Sequence, residues 1–445
     1  MTTTTGTPTP STDRSGWTHR FARPGVRVPR HRGTTAHVAS LYPFHTGLGL
    51  CTAGTWLGVN VTGGGRGWFY DPFELYSTGQ LTNSNILVVG EPGVGKSTAV
   101  KTFAYRQLGH YGQRRFLAID DPKGEYGPLA AALDLPVIRL YPGGQHRINL
   151  LDPTPGDPEQ GLLDRQTLMT GLLAVALRRD LDPAEEALLA RAIEHLATTT
   201  LVFTLADLAH VVGEPPAELV GHPELERLTA EELRAAATPL RFVLGKLLDR
   251  TLRGMFDGAT NVTIDWTEGA GVVLDLSAVF ANRDALPLVM MAATSWLQAA
   301  MSGLKANGRR GLLVDDEVWA LLESEQTARH LQARLKLCRD RGIANILVTH
   351  RLSDLRAQAD DGTAANKIAA GLIADTQTRV VFRQATDQLD DATHLLGLTT
   401  VEAATLPRLA RGRALWRVGS HAAIVDHRIA SHERKIVDTD AAMSA

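Results

Sequence analysis

Cysteine is nearly absent from this 445-residue chain, which holds only Cys51 and Cys338. Two thiols are too few for a disulfide framework or a zinc site, which implies a reducing compartment. The opening MTTTTGTPTPST lacks the apolar core of a secretory leader. The apolar stretch from Leu286 to Met301 contains Pro287 and Gln298. It falls short of the ~18–20 residues of a membrane-spanning helix and reads as a buried helix. These absences point to the cytoplasm, with peripheral docking on the inner face of a membrane still open. Lysine is also scarce, with 8 residues against 38 arginines, so a lysine inside a motif carries information.

What is present is ordinary for a folded protein. An apolar fraction of 44% supports a large core, and the length suggests two or three domains. A formal net charge of −2 gives no global reason to expect nucleic-acid binding. The charge is uneven, however. Residues 1–36 carry Arg14, Arg20, Arg23, Arg27, Arg30 and Arg32 against Asp13 alone. Such a Thr/Pro/Arg segment cannot bury enough apolar surface to fold. It is expected to be a disordered basic arm, either solvated or in contact with DNA, lipid or a partner.

From His37 to about Phe73, TWLGVNV, a glycine turn and RGWFYDPF read as two joined strands. NILVVG (Asn85–Gly90), FLAID (Phe116–Asp120) and VIRLY (Val137–Tyr141) read as buried strands, with a helix from about Ser97. Alternation of such runs with helices predicts an α/β fold with a mostly parallel sheet. Residues 153–260 change texture: DRQTLMTGLLAVALRR, PAEEALLARAIEHLA and AEELRAAATPLRFVLGKLL place apolar residues at helical spacing. Asp182 before Pro183, with Glu185 following, marks a helix start. Strand-like runs resume at VVLDL (Val272–Leu276), GLLVDD (Gly311–Asp316), IANILVT (Ile343–Thr349) and TRVVFR (Thr378–Arg383). The expected organisation is a core in two parts, 37–152 and 261–430, split by an all-α insertion over 153–260. A flexible tail is expected over 431–445.

The sharpest motif is GEPGVGKS, Gly90–Ser97, which matches G-x-x-x-x-G-K-[ST] between a strand and a helix. Gly90, Glu91, Pro92, Gly93, Val94 and Gly95 form the expected nucleotide-binding loop, whose glycines let the backbone curl so that its N–H groups face phosphate oxygens, and the helix N-terminus adds a favourable dipole. Lys96 is expected to reach the terminal phosphates and the Ser97 hydroxyl to ligate Mg²⁺, with Thr98 closing the nucleotide-binding stretch. The chain is therefore expected to bind a nucleoside triphosphate. GLLVDDEVWALL then ends a strand in Asp315, Asp316 and Glu317, at the edge where ligands sit in open α/β folds. Asp316 is the expected magnesium acid, and Glu317 the group that polarises an attacking water. The next strand ends in Thr349-His350, where His350 either senses the γ-phosphate or caps the following helix. IDDPKGEYG (Ile119–Gly127) packs three acids and a scarce lysine behind another strand. It faces the nucleotide or the next subunit, or is a plain acidic turn.

These pieces in order resemble the TraC-type ATPases of conjugation and type IV secretion, within the FtsK/HerA clan of hexameric pumping motors. DPKGEY, INLLDP (Ile148–Pro153) and DEVW carry the more specific part of the likeness, with LGVNVTGGGRGWFYDPF, MFDGAT and VVLDLS as agreeing flanks. The similarity runs from about residue 40 to 420. It implies a RecA-like core in which another strand separates the two nucleotide-binding strands, and a ring, usually of six subunits, that hydrolyses ATP at its interfaces. It also implies an arginine acting in trans, which falls on Arg339, with Arg341 as the fallback; both also fit helix-end cations. The family usually has glutamine at the position of His350. Members typically carry a large N-terminal docking domain, so a separate membrane-associated chain is expected to supply one here.

The leading expectation is thus an ATP- and Mg²⁺-dependent motor, a homo-oligomer that energises assembly of, or transfer through, a secretion or conjugation apparatus. A DNA translocase is the alternative, favoured by the basic arm. A nucleotide-gated structural subunit with negligible turnover is a third reading.

Overall fold

The structure, a computed structural model, describes residues 50, 53–62, 64–153, 157–350 and 371–437. The basic arm expected over 1–36 lies outside the described residues. In chain order the strands are β1 (Thr55–Asn60), β2 (Arg66–Tyr70), β3 (Ile86–Val89), β4 (Arg115–Asp121) and β5 (Val137–Arg139). They continue with β6 (Gly271–Asp275), β7 (Arg310–Asp315), β8 (Ile343–Thr349), β9 (Thr378–Val381), β10 (Arg413–Val418) and β11 (His421–His427). Among the described residues these eleven strands join one sheet in the order β2-β1-β11-β10-β9-β3-β8-β7-β4-β6-β5.

The seven strands from β9 to β5 are mutually parallel. β3, β4 and β8 are buried along their whole length, which is why they read as unbroken apolar runs. β8 lies between β3 and β7, so the strands that carry the glycine loop and the paired acids are separated by one neighbour. This is a RecA-like arrangement.

The helices, in chain order, begin with α1 (Pro72–Ser77), α2 (Lys96–Tyr111) and α3 (Gly127–Ala132). Between β5 and β6 come α4 (Pro158–Leu177), α5 (Pro183–Thr199), α6 (Leu205–Gly213), α7 (Ala217–Val220) and α8 (Ala230–Lys246). α9 (Leu286–Ala300), α10 (Glu325–Arg341), α11 (Leu389–Leu396), α12 (Thr400–Thr405) and α13 (Arg434–Val437) complete the set among the described residues. Strand alternation splits the core in two. Ile86, Val88, Ile119 and Val314 pack with α2 and α3, while Leu87, Val89, Ala118 and Leu313 pack with α9 and α10. The α5 start falls at Asp182-Pro183, and the Glu185 carboxylate closes back on the Asp182 N–H at 2.8 Å.

Three features differ from the sequence expectation. The apolar core of the inserted helices is continuous with that of the sheet layer: Leu172, Leu188 and Leu240 belong to the same cluster as Met290 and Leu313. α4 lies on α9 and α10, and α5, α6 and α8 pack on α4 or on one another, so each amphipathic stripe is buried against the next. Next, β10 and β11 form an antiparallel flank that no reading of residues 384–430 anticipated. Their short runs mix apolar residues with Arg413 and Arg417 on β10 and with His421 and Asp426 on β11, without a clear alternation, and so resemble loop sequence. Finally, residues 431–437 are not a flexible tail. Glu433 is buried and takes two hydrogen bonds from Arg106, at 2.7 and 2.6 Å, and Val437 is buried beside them.

Candidate nucleotide site

The loop from Gly90 to Ser97 turns sharply between β3 and α2. Gly93 and Gly95 sit at φ +75° and +103°, in the left-handed region where a side chain is strained. At Gly90 a Cβ would stand 2.5 Å from the Cβ of Phe382, so only glycine lets the loop lie this close to the strand behind it. That backing comes from β9 to β11. The Gly412 N–H donates to the Val94 carbonyl at 2.9 Å, and the Glu91 N–H to the Arg383 carbonyl at 3.1 Å. The Glu91 carboxylate is also 3.0 Å from the Arg383 guanidinium.

Lys96, 3% exposed, donates to the carbonyls of Gly90 (2.5 Å) and Glu91 (2.9 Å) and lies 2.9 Å from His350 Nδ1. Burial lowers its ammonium pKa to about 8, against the opposing pull of Asp316 and Glu317. Since Lys96 donates to Nδ1, His350 is assigned as the tautomer with its proton on Nε2. That N–H points at Glu317 Oε1, 2.5 Å away. Ser97 and Thr98 begin α2 and are half-buried.

Across the sheet edge, β7 delivers the two carboxylates. Asp316 accepts from the Tyr126 hydroxyl and from the Glu317 N–H, both at 3.0 Å. Burial, then the neighbouring Glu317, raises its pKa to about 6. Glu317 has a left-handed backbone, φ +57°, a strained geometry of the kind that collects at functional positions. Burial alone would raise its carboxyl; hydrogen bonds from His350 and Lys123 more than offset this and hold it at about 2. The Trp319 indole donates to its other oxygen.

The structure thus brings together Lys96, Asp316, Glu317 and His350 with the loop, as the motif order implied. It does not bring in the arginines. α10 runs back from the carboxylate edge to the opposite edge of the sheet, so Arg339 and Arg341 lie away from this chain's own loop. Arg341 is committed to Asp164 at 2.5 Å, whereas Arg339 is 57% exposed and only 3.8 Å from its neighbour Asp340. A cavity of about 450 Å³ between α4, α9 and α10 includes Arg341 in its wall and shares no residue with the loop.

Sequence reasoning left the destination of DPKGEY open. In the structure Asp121 accepts from the N–H groups of Glu125 (3.0 Å) and Tyr126 (2.9 Å), which curls the turn over the end of β4. Lys123 reaches Glu317 Oε1 at 2.6 Å and His350 Nε2 at 3.2 Å. Lys101 of α2 donates to the Glu125 carbonyl at 2.7 Å and lies over the Tyr126 ring. Three of the chain's 8 lysines therefore meet at this site. Their scarcity was the signal. Trp319 was visible only as the end of DEVW, and the Gly412 brace carried no signal.

The donor set suits a magnesium nucleotide. An Asp316 carboxylate and a Ser97 hydroxyl are hard oxygen ligands, and a nearby cation would relieve the cost of the buried carboxylate. Among the described residues no cluster of His, Cys, Asp and Glu forms a separate metal site. No helix among them is long and apolar enough to cross a membrane.

A parallel sheet with a glycine loop between β3 and α2, and paired acids after β7, has the fold of a RecA-like P-loop ATPase. No family model and no curated protein matches the sequence. Within this fold the chain is similar to VirB4 of Thermoanaerobacter pseudethanolicus, with 21% identity and a TM-score of 0.67. That match covers 87% of this chain and 99% of the other. It is also similar to the plasmid coupling protein TrwB in complex with ADP and Mg²⁺, at 18% identity, 78% and 85% coverage and a TM-score of 0.55. TrwB bound to a non-hydrolysable ATP analogue gives 19%, 78%, 86% and 0.54. At these identities the likeness is one of fold.

Proposed function

We propose that this chain is an ATP-hydrolysing ring motor of a conjugation or type IV secretion-like system, powering assembly of the apparatus or transfer through it. The observation that carries the reading is the convergence of Lys96, Asp316 and Glu317 on one sheet edge, in a fold shared with VirB4 over nearly all of that chain. The loop amides from Gly93 to Ser97 and the α2 N-terminus hold the phosphates, and Lys96 binds the terminal ones. Ser97 and Asp316 hold Mg²⁺, which supplies charge neutralisation on the phosphates. Glu317 polarises the water that attacks the γ-phosphate, and the His350 N–H orients that carboxylate.

Arg339 is the residue we assign to the neighbouring subunit's site, since Arg341 is already paired with Asp164. Such a site requires a homo-oligomer, for which a hexamer is the proposed form. Membrane-associated secretion or conjugation subunits, one of them a separate docking chain, are the proposed partners. We place the protein in the cytoplasm, peripheral to the inner face of the membrane.

The likeness to a conjugative coupling protein supports a second reading, a DNA translocase. One assay separates them: ATP turnover by the purified protein with and without duplex and single-stranded DNA, with Glu317→Gln as the blank. Turnover that is indifferent to DNA and falls at least ~100-fold in the variant is the expected result. Strong stimulation by DNA favours the translocase. Nucleotide binding without turnover above the blank at any protein concentration overturns the motor reading in favour of a structural subunit.

A further inference from the structure

We propose that Lys123 is a second terminal-phosphate ligand: it holds Glu317 when no γ-phosphate is bound and transfers to that phosphate when ATP is. The inference rests on the nucleotide reading above and deepens it.

Lys123 sits on a turn whose backbone is pinned from three directions. Asp121 caps it, Lys101 of α2 holds the Glu125 carbonyl, and Tyr126 is bonded to Asp316. The side chain, by contrast, is 31% exposed and long enough to swing. Its ammonium and that of Lys96 lie against the two nitrogens of one imidazole, 3.2 Å and 2.9 Å from His350. Two like charges one ring apart need an anion beside them. Here that anion is Glu317, whose Oε1 already accepts from both Lys123 and His350.

A γ-phosphate reached by Lys96 brings a more highly charged anion within range of Lys123. Moving there removes a donor from the oxygen that must accept a water proton, so the base is freed only when the reacting group is in place. A diphosphate ends one phosphate short and leaves Lys123 on Glu317. Lys123 thereby sets the preference for triphosphate over diphosphate.

The test is the affinity of the wild type, Lys123→Ala, Lys123→Arg, Glu317→Gln and the Lys123→Ala, Glu317→Gln double variant for the β,γ-imido analogue of ATP and for ADP, each with Mg²⁺. Loss of one charge-assisted contact predicts that Lys123→Ala weakens analogue binding by roughly 10–100-fold. ADP binding stays within about twofold, which also reports an intact fold, and Lys123→Arg restores part of the loss. Glu317→Gln, which loosens the grip on Lys123, tightens analogue binding about threefold or more, and only while Lys123 is present. Equal weakening of both nucleotides by Lys123→Ala, or no change in either, overturns the proposal and leaves the nucleotide reading standing. A Glu317→Gln effect that persists without Lys123 overturns it as well. A wild type that binds neither nucleotide removes both readings together.

Discussion

At the scale of single residues, two aspartates show how the same side chain plays opposite parts. Asp120 and Asp315 are register partners on adjacent strands β4 and β7, and both are fully buried. Asp315 is held by the Arg334 guanidinium, at 3.1 and 2.5 Å. Neither oxygen of Asp120 has a hydrogen-bond partner among the described residues. Burial, then the adjacent Asp315, pushes the Asp120 carboxyl well above the usual carboxylate range. That shift favours the neutral carboxyl, for which an amide is a near-isosteric replacement. Asp120→Asn is expected to change stability by no more than about 0.5 kcal/mol in either direction. Asp315→Asn leaves Arg334 buried without its counter-charge and is expected to cost about 3 kcal/mol or more. Urea unfolding midpoints of the two variants at pH 7 decide it: equal losses would mean that Asp120 is ionised.

Among the elements, the antiparallel flank is what stiffens the phosphate loop. His427 on β11 accepts from the Trp416 indole at Nε2, 3.1 Å away, so its Nδ1–H donates to the Gly412 carbonyl at 2.9 Å. Gly412 in turn holds Val94 of the loop. Phe382 stacks on the His427 ring with centroids 5.4 Å apart and also lies against Gly90. Burial is the main cause that lowers the His427 pKa from the ordinary 6.5 to about 4. Between those values the unfolded chain takes up a proton that the folded one refuses, so stability is lost as pH falls. Unfolding midpoints followed by tryptophan fluorescence should therefore drop from pH 6.5 towards pH 4.5. His427→Gln should be less stable at pH 7 yet lose less over that range. His330, lowered to about 3 by burial, keeps some slope in the variant. An unchanged slope would show that His427 is not held neutral.

For the whole molecule, the arginines at the far end of α10 give the sharpest test of assembly. Arg339→Ala is expected to lower turnover by about 1,000-fold while leaving nucleotide affinity and unfolding midpoint unchanged. Arg341→Ala instead frees Asp164 of α4 and is expected to lower stability. Mixing Arg339→Ala subunits with Glu317→Gln subunits should restore part of the activity, because some interfaces then pair an intact base with an intact arginine. No recovery on mixing would place Arg339 outside the neighbour's site. Much of this architecture was legible beforehand. The strands β3, β4, β7 and β8 are doubly buried and announce themselves as apolar runs, and the inserted helices show their period. Less legible were β10, β11 and α13, whose short, half-polar sequences gain meaning only from what they touch, as Glu433 does from Arg106 across most of the chain.

The sequence by itself determined the parts of the site that are local. A phosphate loop needs closely spaced glycines, a lysine and a hydroxyl in one short stretch, and an acid pair needs only the end of an apolar strand, so Gly90–Ser97 and Asp316-Glu317 were readable as strings. Tertiary structure alone decided how those strings are joined. Lys123, Glu317 and His350 come from three separate strand ends, and the Gly412 brace comes from a fourth segment. Ion pairs and hydrogen bonds act through distance in space, and the order of strands in the sheet, which no local pattern encodes, decides which strand ends become neighbours.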